Sequence, residues 1–247
     1  MSTESQHLMN TSFPHHHPAV IAHRGVSSRA IENSRRAFEL AVENPWGHCD
    51  AIELDVHTTR DGDILVHHDS ILASGRMIST STAVEVRREL LKDGSPIPTL
   101  AEVLAISGRL TVHIEVKGVA ERYDAILLSQ IRAAPHPERC QIHGFDHRVV
   151  ARIGAQAPEL TTGVLSSSYP LDPIGPVLAA GARVLWQEAD LIDAELIERA
   201  GAVGVSVIAW TVNDARRASQ LAGMGVAGLC GNWPERLNAK LETNDEA

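Results

Sequence analysis

Two carboxylates, Glu53 and Asp55, stand two residues apart in the apolar run Ala51-Ile52-Glu53-Leu54-Asp55-Val56. Strand side chains alternate with a period of two, so both acids share one face and Ile52, Leu54 and Val56 share the other. Neighbouring carboxylates on an apolar strand repel each other and are costly to desolvate. A divalent cation or a set of donors between them removes both costs, and oxygen ligands suit a hard ion, Mg²⁺ or Ca²⁺. The same pair also fits a half-exposed strand with both acids in water. The stretch alone leaves the two readings even.

Other ionisable groups recur in similar settings. His23-Arg24-Gly25 follows the short apolar run Ala19 to Ala22. It combines an imidazole that exchanges protons near neutral pH, a planar fork for phosphate or carboxylate, and a glycine that lets the chain turn close to a ligand. By itself the tripeptide fits a plain turn with a satisfied histidine better. Glu32-Asn33-Ser34 opens a helix, with Asn33 or Ser34 as its N-cap. Glu32 suits the helix dipole and can also reach a site. In Val66-His67-His68-Asp69 the adjacent histidines point opposite ways, so one of them faces a site, and Asp69 orients an imidazole or caps the next turn. His113, Glu115 and Lys117 share one strand face. There Glu115 offers a third oxygen ligand and Lys117 a charge for a phosphate oxygen, or the two form an internal ion pair. Trp210 walls a pocket or fills the core.

The elements that must position these groups follow a regular order. Strands are expected at 19–22, 51–56, 64–66, 110–116, 141–145, 162–165, 183–186, 203–210 and 226–230. Helices are expected between them, one ending at Pro45, one around 84–91, one opened by the Thr99 cap with Glu102 at its third position, and others at 123–131, 147–154, 173–180, 193–200, 214–222 and 234–241. Asp61-Gly62 signals a hairpin between the second and third strands. Gly181, Gly201 and Gly225 are placed for left-handed caps. About eight main strands, each followed by a helix, give a TIM (β/α)₈ barrel with a short insertion, residues 69–98, after the second βα region. Active-site groups of such a barrel gather at the C-terminal strand ends, where His23, Glu53, Asp55, His68, Glu115 and Lys117 fall. An open doubly wound sheet is the alternative, but its Gly-rich first turn is missing.

Composition narrows the function classes. The 247 residues carry a net charge of −9 and no basic patch, which argues against nucleic acid. Cys49, Cys140 and Cys230 are far apart, which disfavours structural zinc or a disulfide scaffold and fits a reducing compartment. No run has transmembrane length and no secretory signal opens the chain, so a soluble cytoplasmic protein without stable membrane insertion is expected. Residues 1–18 read as a flexible tail, with His15, His16 and His17 solvated in it. Residues 19–247 read as one domain.

Taken in order, HRG, ENS, IELDV with TRDGD, VHHD, PTLAEVL, IEVK and WTVN resemble the glycerophosphodiester phosphodiesterase family from residue 20 to about residue 235. The resemblance implies a TIM barrel that hydrolyses small glycerophosphodiesters to glycerol 3-phosphate and an alcohol with one divalent cation, Mg²⁺ or Ca²⁺. By position it implies Glu53, Asp55 and Glu115 as metal ligands and His23 and His68 as the catalytic pair, His68 because it directly precedes Asp69. It also implies Arg24, Lys117 and Glu32 as substrate-binding residues, with Trp210 on the pocket wall. Gly144 before Phe145, and Gly231-Asn232-Trp233-Pro234, depart from the family pattern. Two alternatives share the site: a phospholipase D-like enzyme for lysophospholipid or sphingolipid head groups, and a non-catalytic metal-binding barrel. A metal-dependent amidohydrolase lacks its His-x-His pair here. The sequence gives no sign of the oligomeric state.

Overall fold

The structure, a computed structural model, describes residues 17–238. Its strands and helices run in the order β1 (Ala19–Ala22), α1 (Arg35–Glu43), β2 (Ala51–Thr58), β3 (Ile64–Val66), α2 (Ala83–Arg87), α3 (Leu100–Ile106), β4 (Thr111–Gly118), α4 (Asp124–Arg132), β5 (Cys140–Gly144), α5 (His147–Gln156), β6 (Thr161–Ser166), α6 (Gly175–Ala179), β7 (Val184–Glu188), α7 (Ala194–Ala202), β8 (Ser206–Trp210), α8 (Ala215–Met224), β9 (Gly228–Gly231) and α9 (Pro234–Asn238). Eight strands pair in parallel, and β1 closes the sheet by pairing with both β9 and β2, as a TIM barrel requires. The ninth, β3, folds back antiparallel on the end of β2 through the Asp61-Gly62 turn.

Alternation along the strands divides the apolar material into layers. Ile52, Leu54 and Val56 face outward and pack with Leu100, Leu104 and Leu127 of the helices. Leu185, Val207 and Leu229 do the same with Leu196 and Leu221 on the other side of the barrel. Each such aliphatic side chain contributes about 1.5–3 kcal/mol when fully buried. The barrel interior holds a smaller cluster of Ile21, Ala51, Leu165, Val184, Trp186, Ile208 and Cys230. Local signals fix the ends of the helices. Ser34 caps α1 by accepting from the Ala37 N–H, and Thr99 with Glu102 forms the expected capping box on α3.

Several boundaries differ from expectation. The insertion lies between β2 and α3, inside the second βα connection, and carries its own apolar cluster of Leu65, Leu72, Ile78, Val86 and Ile97. The helix expected at 84–91 stops at Arg87, because Leu90 bridges to Pro96 and the chain turns back through Gly94 at φ 81°. The strand expected from Val203 begins at Ser206, because Gly204 makes a left-handed turn at φ 73°. That turn, rather than Gly201, ends α7. Gly181 and Gly225 adopt the left-handed conformation as expected. Residues 1–16 of the expected tail, with His15 and His16, lie outside the described residues, as do 239–241 of the last expected helix. Among the described residues no helix is long and apolar enough to cross a membrane.

Candidate active site

Parallel register sets the ionisable groups at matching heights. Asp55 is level with Glu115, and Glu115 with His143, on three adjacent strands, β2, β4 and β5. One step lower, Glu53 is level with His113. Because inward residues alternate, all five of these side chains are buried, next to the apolar interior cluster.

The turn after β1 completes the cluster. Arg24 adopts a left-handed φ of 57°, and its N–H donates to Glu53 Oε2 at 3.0 Å. Its guanidinium lies with Nε 3.3 Å from Asp55 Oδ2 and donates through Nη1 to Glu32 Oε2 at 2.9 Å. Gly25, at φ 75°, makes a close approach within the protein, since a Cβ there would stand 2.7 Å from the Ala37 backbone of α1. Asn33 also has a positive φ, 55°, and its Nδ2 donates to Asp55 Oδ2 at 2.7 Å. Ser34 is therefore the cap and Asn33 a site residue. From the other side Lys117 Nζ lies 3.1 Å from Glu115 Oε1 and 3.4 Å from Asp55 Oδ1.

These surroundings split the three acids. Burial, then repulsion from Asp55 and Glu115, pushes the Glu53 carboxyl well above its ordinary value. Burial, then Asp55, pushes Glu115 up to about 7. Burial also works against a charge on Asp55, but Arg24, Lys117 and the Asn33 hydrogen bond outweigh it and hold its carboxyl below the ordinary range. Asp55 and Glu115 in turn outweigh burial at Lys117 and raise its ammonium.

The histidines differ in their support. His23 Nδ1 and Asn232 Oδ1 are 2.7 Å apart, and Ser27 Oγ donates to the same oxygen at 3.3 Å. The Asn232 N–H donates to Asn213 Oδ1 at 2.9 Å, which fixes this partner. His23 Nε2 lies 3.9 Å from Glu53 Oε2. Burial, then the neighbouring Arg24 charge, lowers the His23 imidazole to about 4. His68 stands at the barrel rim, a third exposed, with Nδ1 2.7 Å from Asp69 Oδ1 as expected. His67 instead bonds the Asp69 carbonyl, and His57 Nε2 the His68 carbonyl at 3.1 Å. Trp210 packs on the interior cluster and meets Phe145 edge to face, with ring centroids 5.5 Å apart. A cleft of about 330 Å³ opens beside Lys117, with Arg122, Tyr123 and Asp146 on its walls.

Donors for a cation converge here. One ligand atom each from Glu53, Glu115 and His143 lies within 4.8 Å of the others. Donors on one ion at about 2.0–2.6 Å from it are separated by that order of distance. Among the described residues Asp55 Oδ1 is buried with no hydrogen bond, only the Lys117 ammonium at 3.4 Å. Together with the raised carboxyls, this fits a divalent ion better than it fits a set of stable ion pairs.

The structure thus brings together His23, Arg24, Glu32, Glu53, Asp55, Glu115 and Lys117. It places His68 and Trp210 nearer the rim. Asn33, Asn232 and His143 went unassigned in the sequence. Asn33 was legible only as a possible cap, and Asn232 only as a departure from a pattern. The alternation Gln141-Ile142-His143 marked His143 as inward, but only the register puts it beside Glu115.

Known proteins share this sequence and this fold. The chain is 32% identical over 234 residues to a glycerophosphodiester phosphodiesterase of Caldanaerobacter subterraneus subsp. tengcongensis, covering 88% of this chain and 95% of that one. It is 27% identical to a probable glycerophosphodiester phosphodiesterase 1 of Mycobacterium tuberculosis, covering 92% and 93%. A putative glycerophosphoryl diester phosphodiesterase from Silicibacter pomeroyi shares the fold with a TM-score of 0.82 at 24% identity, over 92% and 94% of the two chains. A phosphodiesterase from Oleispira antarctica, solved with the product sn-glycerol-3-phosphate, has a TM-score of 0.77 at 22% identity, over 92% and 97%. The family model for glycerophosphoryl diester phosphodiesterases matches residues 23–236, from the histidine after β1 into the last helix, and the chain belongs to that family of phosphoric diester hydrolases.

Proposed function

We propose that the chain hydrolyses small glycerophosphodiesters to glycerol 3-phosphate and an alcohol. Glu53, Asp55 and Glu115 hold one divalent cation, with Mg²⁺ or Ca²⁺ favoured by their oxygens. The observation that carries this reading is the crowding of three buried carboxylates against Arg24 and Lys117, within reach of His23. When bound, the cation polarises a phosphoryl oxygen and offsets the charge that develops on it.

The chain's own groups supply the rest. Arg24 and Lys117 present N–H donors to the other phosphoryl oxygens, a contact that strengthens in a dry site. His23, with Nδ1 engaged by Asn232, keeps Nε2 free to take the proton of the nucleophile. His68, oriented by Asp69, returns a proton to the leaving alkoxide. One P–O bond forms and one breaks, and the proton lost by the nucleophile is balanced by the one gained by the alcohol. Water satisfies this scheme in one step, whereas attack by the substrate's own glycerol hydroxyl gives a cyclic phosphate first, which water then opens with one further P–O bond formed and one broken. Glu32 holds Arg24 in place, and Trp210 walls the entrance.

The product-bound Oleispira relative supports a substrate of this size. The three buried, unpaired cysteines support a reducing compartment, the cytoplasm. Residues 19–247 are taken as one catalytic domain. Glycerophosphocholine turnover, measured before and after chelation and after return of Mg²⁺ or Ca²⁺, tests the reading. Turnover unchanged by thorough chelation rejects the cation.

A further inference from the structure

The imidazole of His143 is held as a ligand is held, yet no hydrogen bond to Nδ1 among the described residues accounts for it. Its side chain is 2% exposed at the level of Glu115. Nδ1 is buried without a hydrogen-bond partner among the described residues. Nε2 stands 4.0 Å from Glu53 Oε1. That is too long for a hydrogen bond and within the span of two donors about 2.0–2.3 Å from a shared ion and set well apart around it. His23 Nε2 is similarly far from the other Glu53 oxygen, but the mutually close set of Glu53, Glu115 and His143 does not include it.

Packing fixes the ring where a hydrogen bond usually would. His143 stacks on Trp186 with centroids 4.2 Å apart and planes 7° from parallel. His113 closes the assembly edge to face on the same indole at 4.9 Å. The indole fits inside the barrel because Gly163, the register neighbour of His143, has no side chain. A Cβ there would stand 2.9 Å from Trp186 Cδ1. Gly163, Trp186 and His143 thus form a sequence of contacts that aims one nitrogen at the carboxylates.

We propose that His143 is a nitrogen ligand of the divalent cation, and that it adds to the carboxylate site an affinity for Mn²⁺ or Co²⁺ that Ca²⁺ and Mg²⁺ do not share. The inference rests on the cation reading above. A carboxylate set alone suits Ca²⁺ and Mg²⁺, whereas an imidazole adds affinity only for ions that accept nitrogen. Mn²⁺ is the best probe, since it retains the carboxylates as ligands and reports each bound nitrogen magnetically.

The test uses the full chain freed of metal and loaded with Mn²⁺. Electron spin-echo spectra of the wild type are expected to show ¹⁴N modulation that disappears in His143→Gln and persists in His23→Gln. Calorimetric titration is expected to show the ratio of Mn²⁺ to Ca²⁺ affinity falling about 10–100-fold in His143→Gln, the scale on which lost metal support is felt. His143→Asn is a second variant in case the first fails to fold by circular dichroism. Mn²⁺ bound by the wild type without ¹⁴N modulation overturns the inference and leaves the carboxylate site standing, and this arm needs no variant. Modulation that survives the loss of His143 also overturns it. Failure to bind any of the four ions overturns the inference and the cation reading together.

Discussion

Two arcs of one barrel carry opposite interiors. From β1 through β2 and β4 to β5 the inward positions hold Ile21 and Ala51 low in the barrel and then Glu53, Asp55, His113, Glu115, Lys117 and His143, with His23 following β1. From β6 to β9 they hold Leu165, Val184, Trp186, Ile208 and Cys230. Strand direction, pairing and outward packing are alike in both. The difference lies in every second residue. The apolar arc is a dry wall with low polarisability, against which charges on the other arc interact more strongly than in water. One arc supplies groups that the fold tolerates only when compensated, and the other withholds the solvent that would compensate them.

The sharpest way to break this contrast is to remove proton-transfer groups beside the charged arc. His23→Ala and His68→Ala are each expected to lower kcat for glycerophosphocholine by about 10²–10⁴-fold, with an unchanged circular dichroism spectrum. Near-normal turnover in either variant would remove that histidine from the chemistry.

Next comes the stability held in the carboxylates. Glu53→Gln supplies a neutral side chain where the metal-free wild type must take up a proton on folding, so the variant is expected to melt several degrees higher near neutral pH, on the scale of roughly 2–4 °C per kcal/mol. The gain on adding cation is expected to shrink in the same variant. A metal-free melting point that drops instead would mean that Glu53 is already satisfied by the protein.

The pH dependence sharpens the contrast further. Glu115 titrates at about 7 when folded, against the ordinary 4.5, so the folded state binds its proton more tightly. The stability this gives is complete below pH 4.5 and is lost as pH rises to 7; Glu53 acts in the same direction. His23 acts oppositely, its imidazole being lowered from 6.5 to about 4, so stability is lost as pH falls through that window. Cations bind the deprotonated carboxylates, so the rise in melting temperature on adding cation is expected to be larger at pH 8 than at pH 5. Thermal melts with and without cation at both values check this, and an equal rise would place the cation elsewhere.

The smallest effect on chemistry is expected in the apolar arc. Leu165→Ala should cost about 2–5 kcal/mol in chemical denaturation, yet leave kcat within a few-fold at temperatures where it stays folded. A loss of turnover as large as that of His23→Ala would show that the wall takes part directly.

Much of this was legible in the residues. The alternation in Ile52-Glu53-Leu54-Asp55-Val56 separated the acids from the aliphatic side chains, but that stretch alone left open whether the acids face the barrel interior or water. Thr99 and Glu102 announced a helix start, because a cap is a contact between near neighbours. The ordered motifs located His23, Arg24, Glu115 and Lys117. What escaped depends on contacts between distant segments. Asn232 meets His23 across 209 residues and Asn33 meets Asp55 across 22, and neither pairing leaves a local pattern. The missing helical turn after Arg87 has a nearer cause, a bridge from Leu90 to Pro96 that outweighs the helix propensity of the residues around it. His143 lies between these cases, inward by parity but meaningful only through its neighbours.

The insertion enters and leaves the barrel at one spot. The Val66 N–H donates to the Pro98 carbonyl at 2.9 Å, and Leu65 bridges to Thr99. Between those ends the segment shelters its own apolar side chains. Such an excursion works as an exchangeable cassette, able to lengthen or shrink among relatives with little strain on its host. His68 stands directly before the insertion's first residue, Asp69, whose carboxylate holds the imidazole at 2.7 Å. A swap that retunes which alcohol fits would therefore also reset the group proposed to hand that alcohol its proton, so selectivity and turnover would evolve as one inheritance.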